Sequence, residues 1–413
     1  MDFTNLAQKY GTPLYVYDFD YMAHRYEALK NAFHARKSLV CYAVKANSNL
    51  SVLKFLAGLG AGFDCVSVGE VKRALLAGAK SYQIILSGVG KRDDELKFAL
   101  ENEILMINLE SEAEMNRLEA IAKQLGKPAR ISIRVNPDID AKTHPYISTG
   151  LNENKFGVDL QTAKKMYLRA KNSPHLEPVG IHSHIGSQIT DIKPVIEAAK
   201  IVANLTRELK AAQIDIKFFD VGGGIGIVYG DESEPDLYEY AQGILANLSG
   251  LDVTVVCEPG RFIVGNAGYF LTSVLYEKFN KNKRFVVVDG AMNDLIRPSL
   301  YQAWHKIFAI SGGKTLCECK TEQLRELKFS SCDVVGPICE SGDFLAKDRN
   351  LPPLNPGDLV VIKSAGAYGF AMSSNYNTRG RAAEVAVKGG EDFLIRRRES
   401  FEDIVALERE FLG

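Results

Sequence analysis

Eight short apolar runs recur between residues 38 and 260, and they constrain the fold of this 413-residue chain more than any other feature. They are SLVCYAV (38–44), GFDCVSV (62–68), QIILSG (83–88), ILMINL (104–109), ARISIRV (129–135), PVGIHSHI (178–185), IKFFDVG (216–222) and VTVVCEPG (253–260). Nearly continuous apolar runs rich in Val and Ile are typical of parallel strands that are buried on both faces. Helical patterns lie between most of the runs, for example at 110–125 and 192–212. Eight such units over about 230 residues predict a TIM (β/α)8 barrel.

A doubly wound open sheet is the alternative, and its dinucleotide fingerprint G-x-G-x-x-G should follow the first strand. The first run is followed by Lys45-Ala-Asn-Ser instead. Glycines cluster only after the seventh run, at 222–226, and their spacing does not fit the fingerprint. The pattern therefore favours the barrel.

The sequence pattern changes after about residue 270. Strand-like segments such as KRFVVVDG, GDLVVIKSAGAY and RAAEVAV are separated by Gly, Pro and Asn, which predicts a mainly antiparallel β domain. The strand-like segment PLYVYD (13–18) precedes the barrel, and we expect it to cross over and join that domain. We therefore expect a barrel at 29–268 and a β domain built from both chain ends, 1–28 and 269–413.

Composition excludes several classes of protein. The net charge of −1 gives no reason to expect nucleic acid or an anionic membrane as partner, and RRR (396–398) is a short, local charge run. No apolar run reaches membrane-spanning length, and the N-terminus lacks the apolar core of a signal peptide. The seven cysteines are irregularly spaced, and Cys317-x-Cys319 has no partner pair at zinc spacing. We expect a cytoplasmic protein without structural disulfides or metal.

Polar residues collect where the predicted strands end, which is where a TIM barrel places its chemistry. In chain order they are Lys45, Asp64, Ser87, Asn108, Asn136, His184, Gly222, Gly223, Gly224, Glu258 and Arg261. The C-terminal end of the predicted barrel, which we call its mouth, thus carries a lysine, an imidazole, a glycine loop, a carboxylate and an arginine. This set matches what pyridoxal phosphate requires.

Each of these residues also has a simpler explanation. Lys45 can bond covalently to an aldehyde cofactor, or it can be a surface lysine at a strand end. The three glycines can bring backbone N–H groups to a phosphate, or they can form a tight turn. Glu258 can keep a pyridine nitrogen protonated while Arg261 binds a phosphate or carboxylate, or the two can brace their loop.

Two histidines, His182 and His184, end the sixth run and alternate along the predicted strand. We expect His184 to stack on the cofactor ring and His182 to be packed, although either can be a core histidine. No third ligand that would complete a metal site is evident near them.

The ordered motifs resemble those of the fold-type III pyridoxal-phosphate decarboxylases, a family whose members act on amino acids such as ornithine, arginine and diaminopimelate. The resemblance covers nearly the whole chain and rests on YAVKAN (42–47), HIGSQ (184–188), GGG (222–224), EPGR (258–261), CESGD (339–343) and AYG (367–369). It implies an alanine-racemase-like barrel and a homodimer whose active sites lie between subunits. It also implies that Ser187, Gly260 and Tyr368 join the cofactor site, and that Cys339 is the acid that protonates the product.

Three segments are most similar to the branch of this family that acts on diaminopimelate: KTHPYISTG (142–150), ENKFG (153–157) and DLIRPSLY (294–301). That branch implies decarboxylation of meso-2,6-diaminopimelate to L-lysine and CO₂, the last step of lysine biosynthesis. The substrate-binding residues that it implies are Arg261, Arg297, Tyr301, Glu340 and Tyr368. Phe262 departs from the small residue that the family often has, but the motif around it is intact.

Three other functions compete with this one. A racemase of the same fold places an arginine, not a glutamate, against the pyridine nitrogen. A non-catalytic relative would be expected to lack Lys45 or Cys339, and both are present. A decarboxylase for ornithine, arginine or a carboxylated polyamine remains the alternative, and only the three diaminopimelate-like segments argue against it.

Overall fold

The computed structural model describes residues 1–140, 155–316 and 329–412. These residues form two compact units: 23–227 with 233–263, and 1–22 with 228–232 and 264–412. We call the first the barrel unit and the second the β unit.

Eight parallel strands close the barrel. They are β2 (Ser38–Ala43), β3 (Gly62–Cys65), β4 (Ile84–Leu86), β5 (Met106–Leu109), β6 (Ala129–Arg134), β7 (Leu176–His182), β8 (Phe218–Asp220) and β9 (Thr254–Cys257). Ser38 of β2 pairs with Val255 of β9, which completes the circle. Each strand falls within or overlaps one of the eight apolar runs, so the predicted TIM barrel is confirmed.

Helices precede, connect and follow the barrel strands. They are α2 (Phe19–Ala32), α3 (Leu50–Gly58), α4 (Val68–Leu76), α5 (Asp93–Glu101), α6 (Glu112–Leu125), α7 (Leu160–Lys171), α8 (Lys193–Ala211), α9 (Leu237–Asn247) and the short α10 (Arg261–Val264). Several begin at a side chain that accepts a free backbone N–H group, a common stabilising N-cap. These caps are Asn49, Ser67, Ser111, Asp159 and Asp236.

The interior of the barrel is filled by side chains from its own strands. Cys41, Ile85, Met106 and Val256 pack together there and are fully buried. Gly180 faces this core because a Cβ at that position would lie 2.7 Å from the Met106 sulfur. The barrel is thus a packed core, and chemistry is confined to its rim.

The β unit contains β1 (Leu14–Asp18), β10 (Gly268–Asn280), β11 (Lys283–Val288), β12 (Ile307–Ser311), β13 (Lys314–Leu316), β14 (Ser330–Val335), β15 (Phe344–Leu351), β16 (Leu359–Ile362), β17 (Ala383–Lys388) and β18 (Glu391–Arg396). Its described helices of a turn or more are α1 (Phe3–Tyr10), α11 (Arg297–Tyr301) and α12 (Phe401–Arg409). None of the helices described in either unit is long and apolar enough to cross a bilayer.

Both chain ends enter this sheet. β1 lies between β10, to which it is antiparallel, and β17, to which it is parallel. The pairs β1–β17 and β11–β14 are parallel, and the other strand pairs of the unit are antiparallel. Leu14, Val16, Leu271 and Val385 pack in its core with Leu6 of α1. The expected crossing of segment 13–18 into a mainly antiparallel β domain is confirmed.

Candidate active site

Lys45 lies in a single 3₁₀ turn, Val44–Ala46, directly after β2. Its amine is 3.4 Å from Oδ2 of Asp64, and its side chain is 40% exposed whereas that of Asp64 is 1% exposed. Burial and the negative charge of Glu258 raise the pKa of Asp64, while Lys45 and Ser87 lower it. The amine is therefore accessible from the rim and has a buried carboxyl group as neighbour.

Glu258 follows β9 directly and is almost fully buried. Its Oε2 lies 3.1 Å from Nε2 of His182, the last residue of β7. Burial alone would raise the pKa of Glu258, but the charge and hydrogen bond of His182, with the charge of Lys45, lower it to about 2. Glu258 is consequently a carboxylate at neutral pH, and its Oε1 has no hydrogen-bond partner among the described residues.

The glycine loop is held too tightly for side chains. Gly222 and Gly224 have φ values of +69° and +100°, which favour glycine. A Cβ on Gly223 would lie 2.1 Å from the carbonyl oxygen of Glu258, and one on Gly224 would lie 2.3 Å from that of Gly186. The glycine backbone therefore lies directly against the loops that carry Glu258 and His184.

His184 lies beyond the end of β7, and its Nδ1 accepts the N–H group of Gly223 at 3.2 Å. Desolvation of the ring, and then the positive charges of Arg134 and Lys45, hold the pKa of His184 well below its usual range. The accepting Nδ1 agrees with a neutral ring, so His184 presents an uncharged, fixed imidazole to the mouth.

Arg261 begins α10, and its Nη2 donates to Oγ of Ser187 at 3.1 Å. A Cβ on Gly260 would lie 3.0 Å from Cβ of Ala46, so the loop after β9 packs against the turn that carries Lys45. Arg261 is only 6% exposed. These contacts connect a cation to the same rim as Lys45 and the glycine loop.

The other three predicted strand-end residues are buried and hydrogen-bonded within the protein. Nδ2 of Asn108 donates to Oγ of Ser87 at 3.0 Å. Oδ1 of Asn136 accepts the N–H group of Asp138 at 2.9 Å. The described contacts give these side chains a structural role.

The remaining predicted residues lie in the β unit. The Arg297 guanidinium lies over the rings of Tyr229 and Tyr301, 5.2 and 5.8 Å from their centres. Its Nε is 3.4 Å from Nε2 of His305, whose Nδ1 is 2.9 Å from the carbonyl oxygen of Lys363. With Nδ1 donating to that carbonyl, Nε2 accepts the N–H group of Arg297, so the buried His305 fixes the direction of the Arg297 side chain.

Cys339 and Glu340 are exposed at the surface of the β unit. The N–H group of Cys339 donates to Oδ1 of Asn377 at 2.9 Å. A hydrogen bond from the Tyr376 hydroxyl to Glu340 raises the pKa of that tyrosine. Tyr368 is half-buried with a φ of +56°. These side chains are thus presented on loops.

Sequence reasoning missed two features of the barrel site. His182 is buried as expected, but it is also bonded to Glu258. Asp220, the last residue of β8, completes a cluster with these two in which the candidate donor atoms lie within 4.8 Å of one another. In the sequence, Asp220 stands out as a charged residue near the end of the apolar run 216–222, and this was the signal that could have drawn attention to it. The sequence did not indicate that two carboxyl groups lie beside His182.

Some predicted features lie outside the described residues. They are the segment 142–150, residues 153 and 154 of the second diaminopimelate-like segment, and Cys317 with Cys319. The five described cysteines are all free thiols.

Residues 20–265 match the family model described as the pyridoxal binding domain of pyridoxal-dependent decarboxylases. Over all 413 residues, the whole length of both chains, the sequence is 63% identical to diaminopimelate decarboxylase of Campylobacter jejuni. The chain belongs to the diaminopimelate decarboxylase family. The crystal structure of the Helicobacter pylori member, complexed with L-lysine, has a TM-score of 0.93 and 53% identity, with 99% of this chain and 100% of that chain covered. The crystal structure of diaminopimelate decarboxylase from M. jannaschii, in co-complex with L-lysine, has a TM-score of 0.90 and 36% identity, with 98% of this chain and 94% of that chain covered.

Membership confirms the predicted class of enzyme, a decarboxylase that uses pyridoxal phosphate. The relatives from Campylobacter jejuni and Helicobacter pylori carry the name of the diaminopimelate branch. The barrel residues fit the cofactor. A glycine backbone without room for Cβ atoms suits a phosphate, and the buried, unpartnered oxygen of Glu258 suits a ring N–H group.

Proposed function

We propose that this chain decarboxylates meso-2,6-diaminopimelate to L-lysine and CO₂, the last step of lysine biosynthesis, with pyridoxal phosphate held at the barrel mouth by Lys45. The observation that carries this proposal is Glu258. It is a buried carboxylate, charged because of His182 and Lys45, with one oxygen still available to a donor. When bound, a pyridine ring protonated beside such a carboxylate supplies an electron sink for the bond that breaks.

The residues that would hold the cofactor follow from the contacts of the barrel unit. Lys45 would bond to its aldehyde carbon, with Asp64 beside the amine. Gly222, Gly223 and Gly224, with Ser187 and Arg261, would bind its phosphate. The neutral ring of His184 would stack on the pyridine face, where a charged imidazole would be repelled by the ring's own positive charge.

For the substrate we propose the residues of the β unit together with Arg261. Diaminopimelate carries an ammonium and a carboxylate at each end, so its distal end needs both a cation and an anion. Arg297 and the Tyr301 and Tyr368 hydroxyls suit the carboxylate, and Glu340 suits the ammonium. When CO₂ leaves, the electrons of the broken bond remain with the α-carbon. The Cys339 thiol then gives its proton to that carbon and regains one from solvent.

We further propose that the active sites are completed in a homodimer, in which Cys339 and Glu340 serve the barrel of the partner subunit. Both residues are exposed, and each belongs to a unit distinct from the one that carries Lys45. A cytoplasmic location agrees with the five free cysteines of the described chain.

Purified holoenzyme given meso-diaminopimelate, ornithine, arginine and lysine in separate reactions tests the proposed substrate. We expect CO₂ release at a substantial rate only from diaminopimelate, with one lysine formed for each CO₂. Faster release from ornithine or arginine would favour the alternative decarboxylase instead.

A further inference from the structure

Asp220 is a buried carboxyl group that the proposed function does not use. It ends β8 inside the barrel and is fully buried. Its Oδ1 accepts the N–H group of Gly222 at 2.9 Å, while Oδ2 has no hydrogen-bond partner among the described residues. Because an unpaired carboxylate oxygen is costly to bury, its surroundings should explain how it is tolerated.

Those surroundings contain another carboxyl group. Asp220, His182 and Glu258 offer donor atoms that all lie within 4.8 Å of one another, and all three residues are buried. Two buried carboxylates this close repel each other strongly, so they share a proton instead of both ionising.

The contacts decide which of the two keeps the proton. Glu258 has His182 as a hydrogen-bond partner at 3.1 Å and Lys45 as a nearby charge, so its anion is stabilised. The anion of Asp220 would have only the N–H group of Gly222 to stabilise it, because its other neighbour is the Glu258 carboxyl group itself. Burial, and then the charge of Glu258, raise the pKa of Asp220 well above its usual range.

None of the other titratable groups that face Asp220 reverses this order. Asp64 on β3 is a third acid, and it raises the pKa of Asp220 further. The Cys41, Cys257 and Tyr240 side chains, on β2, β9 and α9, interact with Asp220 and are neutral, because burial raises the pKa of each. These neighbours therefore add no positive charge that would favour an ionised Asp220.

We propose that Asp220 is a neutral carboxylic acid that donates its proton in a hydrogen bond to Glu258 and thereby positions both Glu258 and the glycine loop. This inference rests on the proposed role of Glu258 toward the cofactor. One carboxyl group would then connect the two ends of the cofactor site, through its O–H group to Glu258 and through its Oδ1 to Gly222. Glu258 keeps its full negative charge because the proton resides on its neighbour. Asp220 is a positioning residue, since its contacts are with Glu258 and Gly222.

Asp220→Asn is the decisive variant. The amide has nearly the same shape, can still accept from Gly222 and can still donate an N–H group to Glu258. If Asp220 is neutral, the variant should fold, keep turnover within a factor of about three, and keep the pH dependence of the cofactor's absorbance. Asp220→Ala, which removes both hydrogen bonds, should bind the cofactor more weakly and broaden that pH dependence.

Infrared difference spectroscopy of the holoenzyme reads the proton directly. At about pH 9 the other buried acids with raised pKa values near 7, Glu70 and Asp294, are ionised. The spectrum of the wild type minus that of Asp220→Asn should then show the carbonyl band of a protonated carboxylic acid, shifted in D₂O. Asp64→Asn should retain this band, which makes it the matched control.

Three results would overturn the proposal. They are absence of the carbonyl band, a loss of turnover in Asp220→Asn as large as that in Glu258→Gln, and a stoichiometric metal ion in the holoenzyme, because a cation bridging the cluster would require Asp220 to be ionised. The band is measured without turnover. A failure of the proposed reaction, seen as wild-type holoenzyme that releases no CO₂, is therefore distinguishable from a failure of this inference.

Discussion

The barrel mouth and the loop that carries Cys339 differ in how firmly their side chains are held. At the mouth, Glu258, His182 and Asp220 are buried and constrain one another, and the pKa values of both carboxyl groups are shifted. Cys339 and Glu340 are exposed, and the structure describes few contacts for them. The side chains at the barrel mouth are therefore held within the barrel unit, whereas Cys339 and Glu340, which we propose to act on product and substrate, have few described contacts that fix them.

The largest effect should come from the mouth. Lys45→Ala should fold normally and lose decarboxylase activity by several orders of magnitude, because the amine that we propose to bond to the cofactor is removed. Lys54→Ala, an exposed lysine on α3, is the matched control and should keep full activity. Steady-state rates of CO₂ release measure both. Substantial activity in Lys45→Ala would mean that the mouth is not where the chemistry occurs.

Next in size is the loss of the buried charge. Glu258→Gln keeps the shape of the side chain but removes the carboxylate, and it should lower turnover by roughly 10²-fold or more. The cofactor's absorbance should show a less readily protonated ring. Glu101→Gln, at an exposed position on α5, should change neither. Unchanged turnover in Glu258→Gln would mean that Glu258 only stabilises its loop.

A mixing experiment tests whether the exposed loop serves a second subunit. Lys45→Ala and Cys339→Ala should each be impaired alone. Random subunit exchange at equal concentrations makes half of the dimers mixed, and each mixed dimer has one intact site, so about a quarter of all sites should recover. Mass spectrometry shows that exchange has occurred. No recovery after exchange would mean that Cys339 acts within its own chain.

The smallest effect should be a stability difference in the β unit. Burial raises the pKa of Glu399, but Arg381 and Asn375 lower it to about 2, from 4.5. A lowered pKa contributes stability above pH 4.5 that is lost as the pH falls toward 2. Glu399→Gln should thus cost at most about 1 kcal/mol at pH 7, because solvent screens a partly exposed pair.

Denaturant unfolding of the wild type and Glu399→Gln checks this contribution. The difference in their free energies of unfolding should shrink below pH 4.5 and also in high salt. A difference that is insensitive to salt would show that the Arg381–Glu399 pair behaves like the buried pair His182–Glu258, and the contrast between the barrel mouth and the β unit would then be weaker.

The fold was predictable to a large extent because its signals are local. The eight apolar runs and the glycines after β8 sit where the barrel requires them, and segment 13–18 was recognisable as a strand outside the barrel. The pairing of His182 with Glu258, and the approach of Asp220 to both, depend on barrel closure and register. They join residues 38 to 76 positions apart, so no local pattern reveals them.

The proposed site residues of the β unit were reached only through the family resemblance. Cys339 is an exposed residue on a loop, and nothing in the residues around it distinguishes an acid catalyst from an ordinary thiol. Likewise, His305 orients Arg297 from eight positions away, through a hydrogen bond that the sequence does not predict. The structure therefore adds most to the sequence analysis where one side chain orients another.

The central claim, that Lys45 at the barrel mouth carries the cofactor, is tested most directly by borohydride reduction of the holoenzyme followed by peptide mapping. Borohydride makes a lysine–cofactor bond permanent, so the modified peptide identifies the lysine. We expect the visible absorbance of the cofactor to be lost and a single adduct to be found on Lys45. An adduct on a different lysine, or none in protein that decarboxylates diaminopimelate, would contradict the account.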